Sequence, residues 1–124
     1  MRGPLAWPPV PAIATRAQTF DDLVMDAAER LQPHWAAVYP TLEFAVEDVP
    51  AAAPAPWEAN IVPLGRAFGP DTNHAPRVII YRRPVETRVT TRRDLAELVA
   101  DIVTEQVAAL LGRPPEDIDP GYAG

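Results

Sequence analysis

The chain has 124 residues, lacks Cys, Lys and Ser, and carries a formal net charge of −6, so all eleven of its cationic side chains are Arg. This is the length of one domain, and the missing residue types exclude disulfides, Cys-ligated metal centres, Ser and Cys nucleophiles, Schiff-base lysines and the Lys-dependent P-loop. No apolar stretch reaches the length of about 18 residues needed to span a bilayer, and prolines interrupt the apolar N-terminal stretch, so we expect a cytoplasmic protein without a membrane segment.

Prolines divide the chain into short elements and mark where the folded part is expected to begin. There are sixteen, and a cluster in residues 4–11 leads us to interpret residues 1–18 as a Pro-rich N-terminal arm and residues 19–124 as the domain. Apolar side chains then recur at helical spacing and predict an amphipathic helix over residues 20–31. Thr19 is the predicted N-cap, because its hydroxyl can accept a hydrogen bond from a free N–H of the first turn.

The middle of the chain is typical of β-structure. Residues 42–47 alternate apolar and polar side chains, which predicts a strand with one solvent-exposed face. Residues 60–62 and Leu64 indicate a short edge strand that Pro63 interrupts. Residues 77–82 are more apolar and predict a strand near the centre of the sheet.

A long helix dominates the C-terminal part. Pro84 is expected to end the preceding strand, and Thr91 is a predicted N-cap with Asp94 three residues later. An apolar stripe then continues for about twenty residues to Gly112, a predicted left-handed C-cap. A last turn is predicted at Pro115–Ile118. Helices flanking a small group of strands indicate an α+β fold.

The order of these pieces carries a family resemblance. The pieces follow one another in this order: an acidic first helix, the Val-Glu-Asp-x-Pro segment Val46–Pro50, the strand Arg77–Pro84, the long helix and Gly121-Tyr122. This order resembles the small predicted metallopeptidases with a minimal zincin-like fold, over residues 19–122. Residues 1–5 and the prolines after them are similar to an actinobacterial branch of that family. The resemblance implies a small mixed sheet packed on an N-terminal helix and a long C-terminal helix.

In that family the long helix carries His-Glu-x-x-His, followed closely by Gly. Two histidines four residues apart lie on one helix face and can bind one zinc ion, while the Glu acts as general base on the bound water. Counted back from Gly112, the first ligand position is Glu105. The general-base position is Gln106, and the second ligand position is Ala109. An amide does not accept the proton of water at neutral pH and a methyl group does not bind metal, so we predict a retained fold with no catalytic residues, no cofactor, and zinc only in relatives.

A different register leads to the same prediction. If the motif is shifted by one residue, Thr104 and Glu105 occupy the His-Glu positions and Ala108 the second ligand position. The Glu is then restored, but neither ligand is.

Acidic side chains near the motif are the remaining weak candidates for a cation site. They lie on the long helix and in the turn after it: Asp101, Glu105, Glu116, Asp117 and Asp119. Oxygen ligands of this kind suit Mg²⁺, Ca²⁺ or Mn²⁺ better than zinc. The alternative, which we favour, is that these residues form a solvated acidic surface.

The other polar and aromatic residues do not form a ligand pattern. Neither His34 nor His74 has a second His at ligand spacing, and both are expected at surface or packing positions. The three tryptophans, Trp7, Trp35 and Trp57, are expected to anchor the core or the arm rather than to form a ligand cage.

Charge is distributed unevenly along the chain. Residues 77–93 hold six Arg and one Glu, a net charge of +5, whereas residues 20–50 and 94–124 each hold seven acids and one Arg, a net charge of −6. The basic band has a single aromatic residue for stacking on bases, and the chain is acidic overall, so nucleic-acid binding is not favoured. Pairing with the acidic helices of the same chain, or contact with an acidic partner, is the preferred interpretation.

Two hypotheses follow. The first is a catalytically silent zincin-like domain that binds a peptide or a partner protein, with the strand edge that active relatives present to substrate as its docking site. The second is a metal-dependent peptidase with atypical ligands. The two differ in whether the purified protein holds stoichiometric metal and hydrolyses peptides.

Overall fold

The computed structural model describes residues 15–50 and 63–122, which contain helices and one three-stranded sheet. The elements in chain order are α1 (Arg16–Arg30), α2 (Gln32–Trp35), β1 (Glu43–Glu47), β2 (Gly65–Phe68), β3 (Arg77–Tyr81), α3 (Arg82–Glu86), α4 (Arg92–Leu111) and α5 (Pro115–Ile118). The predicted α+β class is therefore confirmed. In the described ranges, no helix combines the length and the apolar content needed to cross a bilayer.

Helix α1 begins before its predicted start. Thr15, not Thr19, is the N-cap: its hydroxyl accepts a hydrogen bond from Gln18 N at 3.0 Å, and Gln18 Oε1 accepts one from Thr15 N at 2.9 Å. This reciprocal pair is a capping box, which satisfies two backbone donors, and Thr19 has no equivalent partner among the described contacts. Residues 15–18, predicted as part of the arm, belong to this cap and first turn, and residues 1–14 lie outside the described ranges.

The sheet has the order β1-β3-β2, with β3 parallel to β1 and antiparallel to β2. The prediction for β1 is confirmed, since Phe44 and Val46 are half-buried while the residues between and beside them are exposed. The prediction that β3 is central is also confirmed.

The edge strand differs from its prediction. Strand β2 begins at Gly65, after Pro63, and residues 60–62 lie outside the described ranges. The ladder with β3 starts one residue earlier, where Leu64 O accepts a hydrogen bond from Tyr81 N at 3.0 Å. Proline has no N–H to donate, so the pairing begins only once the chain has passed it.

A short helix follows β3 where the sequence predicted that Pro84 ends a strand. Strand β3 ends at Tyr81, and α3 contains Pro84 in its first turn. Proline is tolerated there because the first N–H groups of a helix have no intrahelical acceptor.

Helix α4 confirms its prediction at both ends. Thr91 Oγ1 accepts a hydrogen bond from Asp94 N at 3.0 Å, and Gly112 is the left-handed C-cap with a φ of 68°. The core between the helices and one face of the sheet consists of buried apolar side chains: Phe20, Val24, Leu31, Val78, Ile80, Val85, Val99, Ile102, Val103, Val107 and Ile118.

Trp35 confirms its predicted packing role. Its indole N–H donates to Ala28 O at 2.9 Å, and its ring lies 5.6 Å from that of Phe44. Trp7 and Trp57, the other predicted anchors, lie outside the described ranges.

Candidate functional site

The three predicted motif positions lie in the C-terminal half of α4, beside the sheet edge. Glu105 and Gln106 are half-buried and Ala109 is exposed. Glu105 lies three residues after Ile102, and Ala109 lies seven residues after it. This spacing puts Ile102, Glu105 and Ala109 on one side of the helix. Ile102 packs beneath β2, because a Cβ placed on Gly65 would lie 3.2 Å from Ile102 Cγ2.

The carboxylate at the first predicted ligand position already has a partner. The hydroxyl of Tyr122 donates a hydrogen bond to Glu105 Oε2. This bond, together with partial burial and the negative charges of Glu105, Asp101 and Glu116, raises the pKa of Tyr122 to about 12. The C-terminal segment is thereby held against α4 at the position where family relatives are expected to bind metal.

Asp119, one of the weak cation candidates, joins three elements instead. Its Oδ2 accepts a hydrogen bond from Arg30 Nη2 at 3.0 Å, and its Oδ1 accepts one from Gly121 N at 3.0 Å. The hydroxyl of Thr104, which donates to Ala100 O at 2.8 Å, lies 3.4 Å from Oδ2. Thr104 is fully buried. The carboxylate thus links α1, α4 and the C-terminal segment. Sequence reasoning missed Arg30 as its partner, since nothing local relates residues 89 positions apart.

The remaining acidic candidates are dispersed. Asp101 is half-buried one turn before Glu105, and Asp117 is exposed on α5. Across residues 15–50 and 63–122, no three His, Asp or Glu side chains are grouped closely enough to hold a metal ion. Zinc does not fit the residues at the motif positions, because Ala109 offers no ligand and Glu105 is bound to Tyr122.

Neither histidine belongs to this region. His74 Nδ1 lies 3.0 Å from Asp71 Oδ1 in an exposed turn. The hydrogen bond from Asn73 N, followed by that of His74, lowers the pKa of Asp71. His34 lies in α2, half-buried.

Part of the basic band is paired within the chain. Arg82 lies 2.9 Å from Asp48 Oδ1 and 3.1 Å from Glu86 Oε1, and its hydrogen bond to Asp48 raises its pKa. Arg77 stacks on the ring of Phe68 with its guanidinium carbon 4.5 Å from the ring centroid. These contacts direct the two cations toward side chains of the same molecule.

A cleft at the other end of α4 is separate from the motif positions. It has a volume of about 430 Å³ and lies between the first turns of α1 and α4, next to α3. Among the residues that line it, Arg92 reaches Thr19 Oγ1 at 3.5 Å, and Glu86 is paired with Arg82. No converging set of ligand groups results.

Strand β2 presents an outer edge next to α4. Leu64 and Tyr81 form a hydrogen-bonded pair, and such pairs alternate along an antiparallel ladder, so the backbone groups of Gly65 and Ala67 point away from β3. Within the described ranges no strand pairs with that side of β2. We call these backbone groups, with the adjoining α4 residues Ile102, Glu105 and Ala109, the β2 edge surface.

Comparison with known proteins places this arrangement in a family. A family model described as zincin-like metallopeptidase matches residues 40–124. The matched range contains the whole sheet, α4 and the segment that carries Tyr122, whereas α1 precedes it. A search of curated proteins finds no match. Since the family model covers more than half of the chain, the protein belongs to the zincin-like metallopeptidase family.

Proposed function

We propose that the protein is a catalytically silent zincin-like domain that binds an extended peptide segment of a partner along the β2 edge surface. The observation that carries the proposal is that two features lie on the same side of α4. The predicted motif positions hold Glu105, Gln106 and Ala109, and the strand edge beside them is open in the described part of the chain.

The chemistry of those positions supports the loss of catalysis. Zinc peptidases need two or more neutral imidazoles or carboxylates on the metal and a base on the attacking water. The methyl group of Ala109 cannot replace a ligand, and the Gln106 amide cannot replace the base. The carboxylate of Glu105 accepts a hydrogen bond from Tyr122.

The edge supports peptide binding on different grounds. An extended peptide can add a strand to a sheet edge through main-chain hydrogen bonds, with side-chain contacts supplying specificity. The backbone groups of Gly65 and Ala67 offer two residues of such pairing. Strand pairing needs neither metal nor base, so it survives the loss of the motif.

A random octapeptide display library tests the binding part of the proposal. Ala67→Pro removes the outward N–H and is tolerated at an edge, whereas Ala67→Ser retains it. We expect enriched peptides to bind the wild type and Ala67→Ser alike and to lose most of their affinity for Ala67→Pro. Circular dichroism checks that each variant is folded. Equal binding to all three proteins, or no enrichment, would contradict the proposal.

Metal analysis and hydrolysis test the catalytic part. We expect protein purified without chelator to contain no stoichiometric zinc and to leave a mixture of unstructured peptides intact. Stoichiometric zinc together with chelator-sensitive hydrolysis would overturn catalytic silence and favour a peptidase with atypical ligands.

A further inference from the structure

We infer that the peptide bound at the β2 edge surface carries an arginine or lysine side chain that pairs with Glu105. This inference rests on the proposed function and specifies the chemistry of the partner. It follows from where α4 lies relative to β2 and from the charge that α4 presents there.

The first step is the position of Glu105 beside the strand edge. Gly65 lies against Ile102, and Glu105 is one helical turn further along the same side of α4. A strand added outside β2 directs every second side chain toward the face on which α4 packs. Glu105 is the ionisable side chain of the β2 edge surface, and a long side chain directed toward α4 is offered this carboxylate as its partner.

The second step is charge. Residues 94–124 contain seven acids and one Arg, a net charge of −6. The Arg is Arg113, whose guanidinium is directed to Asp117 O at 3.4 Å. Asp101 and Glu116, like Glu105, contribute negative charge at the hydroxyl of Tyr122. This surface therefore attracts a cationic segment and repels an acidic one.

The third step is that Glu105 retains an acceptor. Tyr122 donates to Oε2, and the described contacts contain no hydrogen bond to Oε1. A carboxylate accepts several hydrogen bonds, so a guanidinium or ammonium group can bind without displacing the phenol.

The octapeptide library also tests this inference, through the composition of the selected peptides. We expect Arg or Lys to be enriched at one position over Asp and Glu, and replacement of that residue by citrulline or Gln to weaken binding about two- to fivefold, the range for exposed ion pairs. Glu105→Gln should weaken binding of the cationic peptide by a similar factor. The Gln side chain retains an oxygen that can accept the hydrogen bond from Tyr122. The difference in peptide affinity between the wild type and Glu105→Gln should shrink at high salt, because salt screens the ion pair.

Glu97→Gln is the matched control, since it makes the same change on the same helix. Glu97 is exposed, pairs with Arg93 at 3.4 Å, and lies outside the β2 edge surface. It should leave the affinity nearly unchanged. Selected peptides without cationic enrichment, or equal losses in the two variants, would overturn the inference while leaving peptide binding intact. Failure of Ala67→Pro to weaken binding would instead overturn the proposed function and this inference together.

Discussion

Gly65 controls how closely β2 approaches α4. A Cβ at this position would lie 3.0 Å from Ile79 O and 3.2 Å from Ile102 Cγ2. Both distances are shorter than ordinary van der Waals contacts, so a larger residue must displace either the ladder or the helix. The absence of a side chain at Gly65 thus lets β2 pack closely against Ile102 of α4.

We therefore predict that Gly65→Ala lowers the free energy of unfolding by about 1–3 kcal/mol, as overpacking does. Gly69→Ala is the control, because a Cβ there meets nothing within 4 Å. Urea unfolding monitored by circular dichroism measures both. Equal stability of the two variants would show that β2 adapts without cost.

Tyr122 is the residue whose ionisation reports the contact with Glu105. Its pKa is raised to about 12 in the folded protein from an ordinary value of 10.0, so folding favours the protonated phenol. The stability from this contact is fully present below pH 10 and is lost as the pH rises through about 12.

We predict that the unfolding midpoints of the wild type and Tyr122→Phe differ by a constant amount below pH 10 and converge as the pH approaches 12. Urea unfolding at a series of pH values measures this difference. Because alkaline destabilisation by other groups affects both proteins, the difference isolates Tyr122. A difference independent of pH would contradict the contact.

At the scale of elements, Asp119 connects α1, α4 and the C-terminal segment. Its side chain is 19% exposed, accepts hydrogen bonds from Arg30 and from Gly121 N, and lies 3.4 Å from the hydroxyl of Thr104. Removing the carboxylate leaves the Gly121 N–H without its acceptor and opens space beside the buried Thr104, whereas removing Arg30 loses one exposed contact.

We predict that Asp119→Ala lowers the free energy of unfolding by about 1–3 kcal/mol and that Arg30→Ala, at a site 52% exposed, lowers it by less than about 1 kcal/mol. Asp117→Ala, the same change at an exposed position of α5, should have an effect within about 0.5 kcal/mol. Denaturant unfolding of the three variants ranks their losses in the free energy of unfolding. A smaller loss for Asp119→Ala than for Arg30→Ala would contradict the shared role.

Helix α4 also permits a direct test of the motif register. The combined substitutions Glu105→His, Gln106→Glu and Ala109→His place two imidazoles four residues apart on one side of the helix. We predict zinc binding, detectable by isothermal titration, that is absent from the wild type and from Ala109→His alone. A folded triple variant that does not bind zinc would contradict the register or show that a third ligand is missing.

At the scale of the whole molecule, arginines of the basic band form ion pairs with carboxylates of the same chain. Among residues of the basic band, Arg82 pairs with Asp48 and Glu86, and Arg93 pairs with Glu97. The overall charge remains −6. A phosphate backbone would therefore meet an acidic protein in which Arg82 and Arg93 are already paired with carboxylates.

We predict that neither duplex nor single-stranded oligonucleotides bind the protein at 0.15 M ionic strength, the physiological value. Fluorescence anisotropy of labelled oligonucleotides measures this. A micromolar affinity that falls steeply with salt would show that the basic band reaches phosphates and would contradict the prediction.

Local patterns predicted most of the architecture. The spacing of apolar residues in α4, its cap at Thr91 and its end at Gly112 depend on neighbours within a few residues, as does the alternation along β1. The candidate motif positions followed from the family resemblance, by counting back from Gly112. The start of α1 was missed even though its signal is local, because Thr15 and Thr19 are both suitable caps and the partner Gln18 decides between them.

The sequence by itself thus determined the class of fold, the long helix and the residue types at the candidate site. The tertiary structure decided which strand lies at the edge beside α4, that Tyr122 contacts Glu105, and that Arg30 contacts Asp119. These pairs are separated by 17 and 89 residues, and no periodic pattern extends over such distances. They form only when packing of the core brings their elements together.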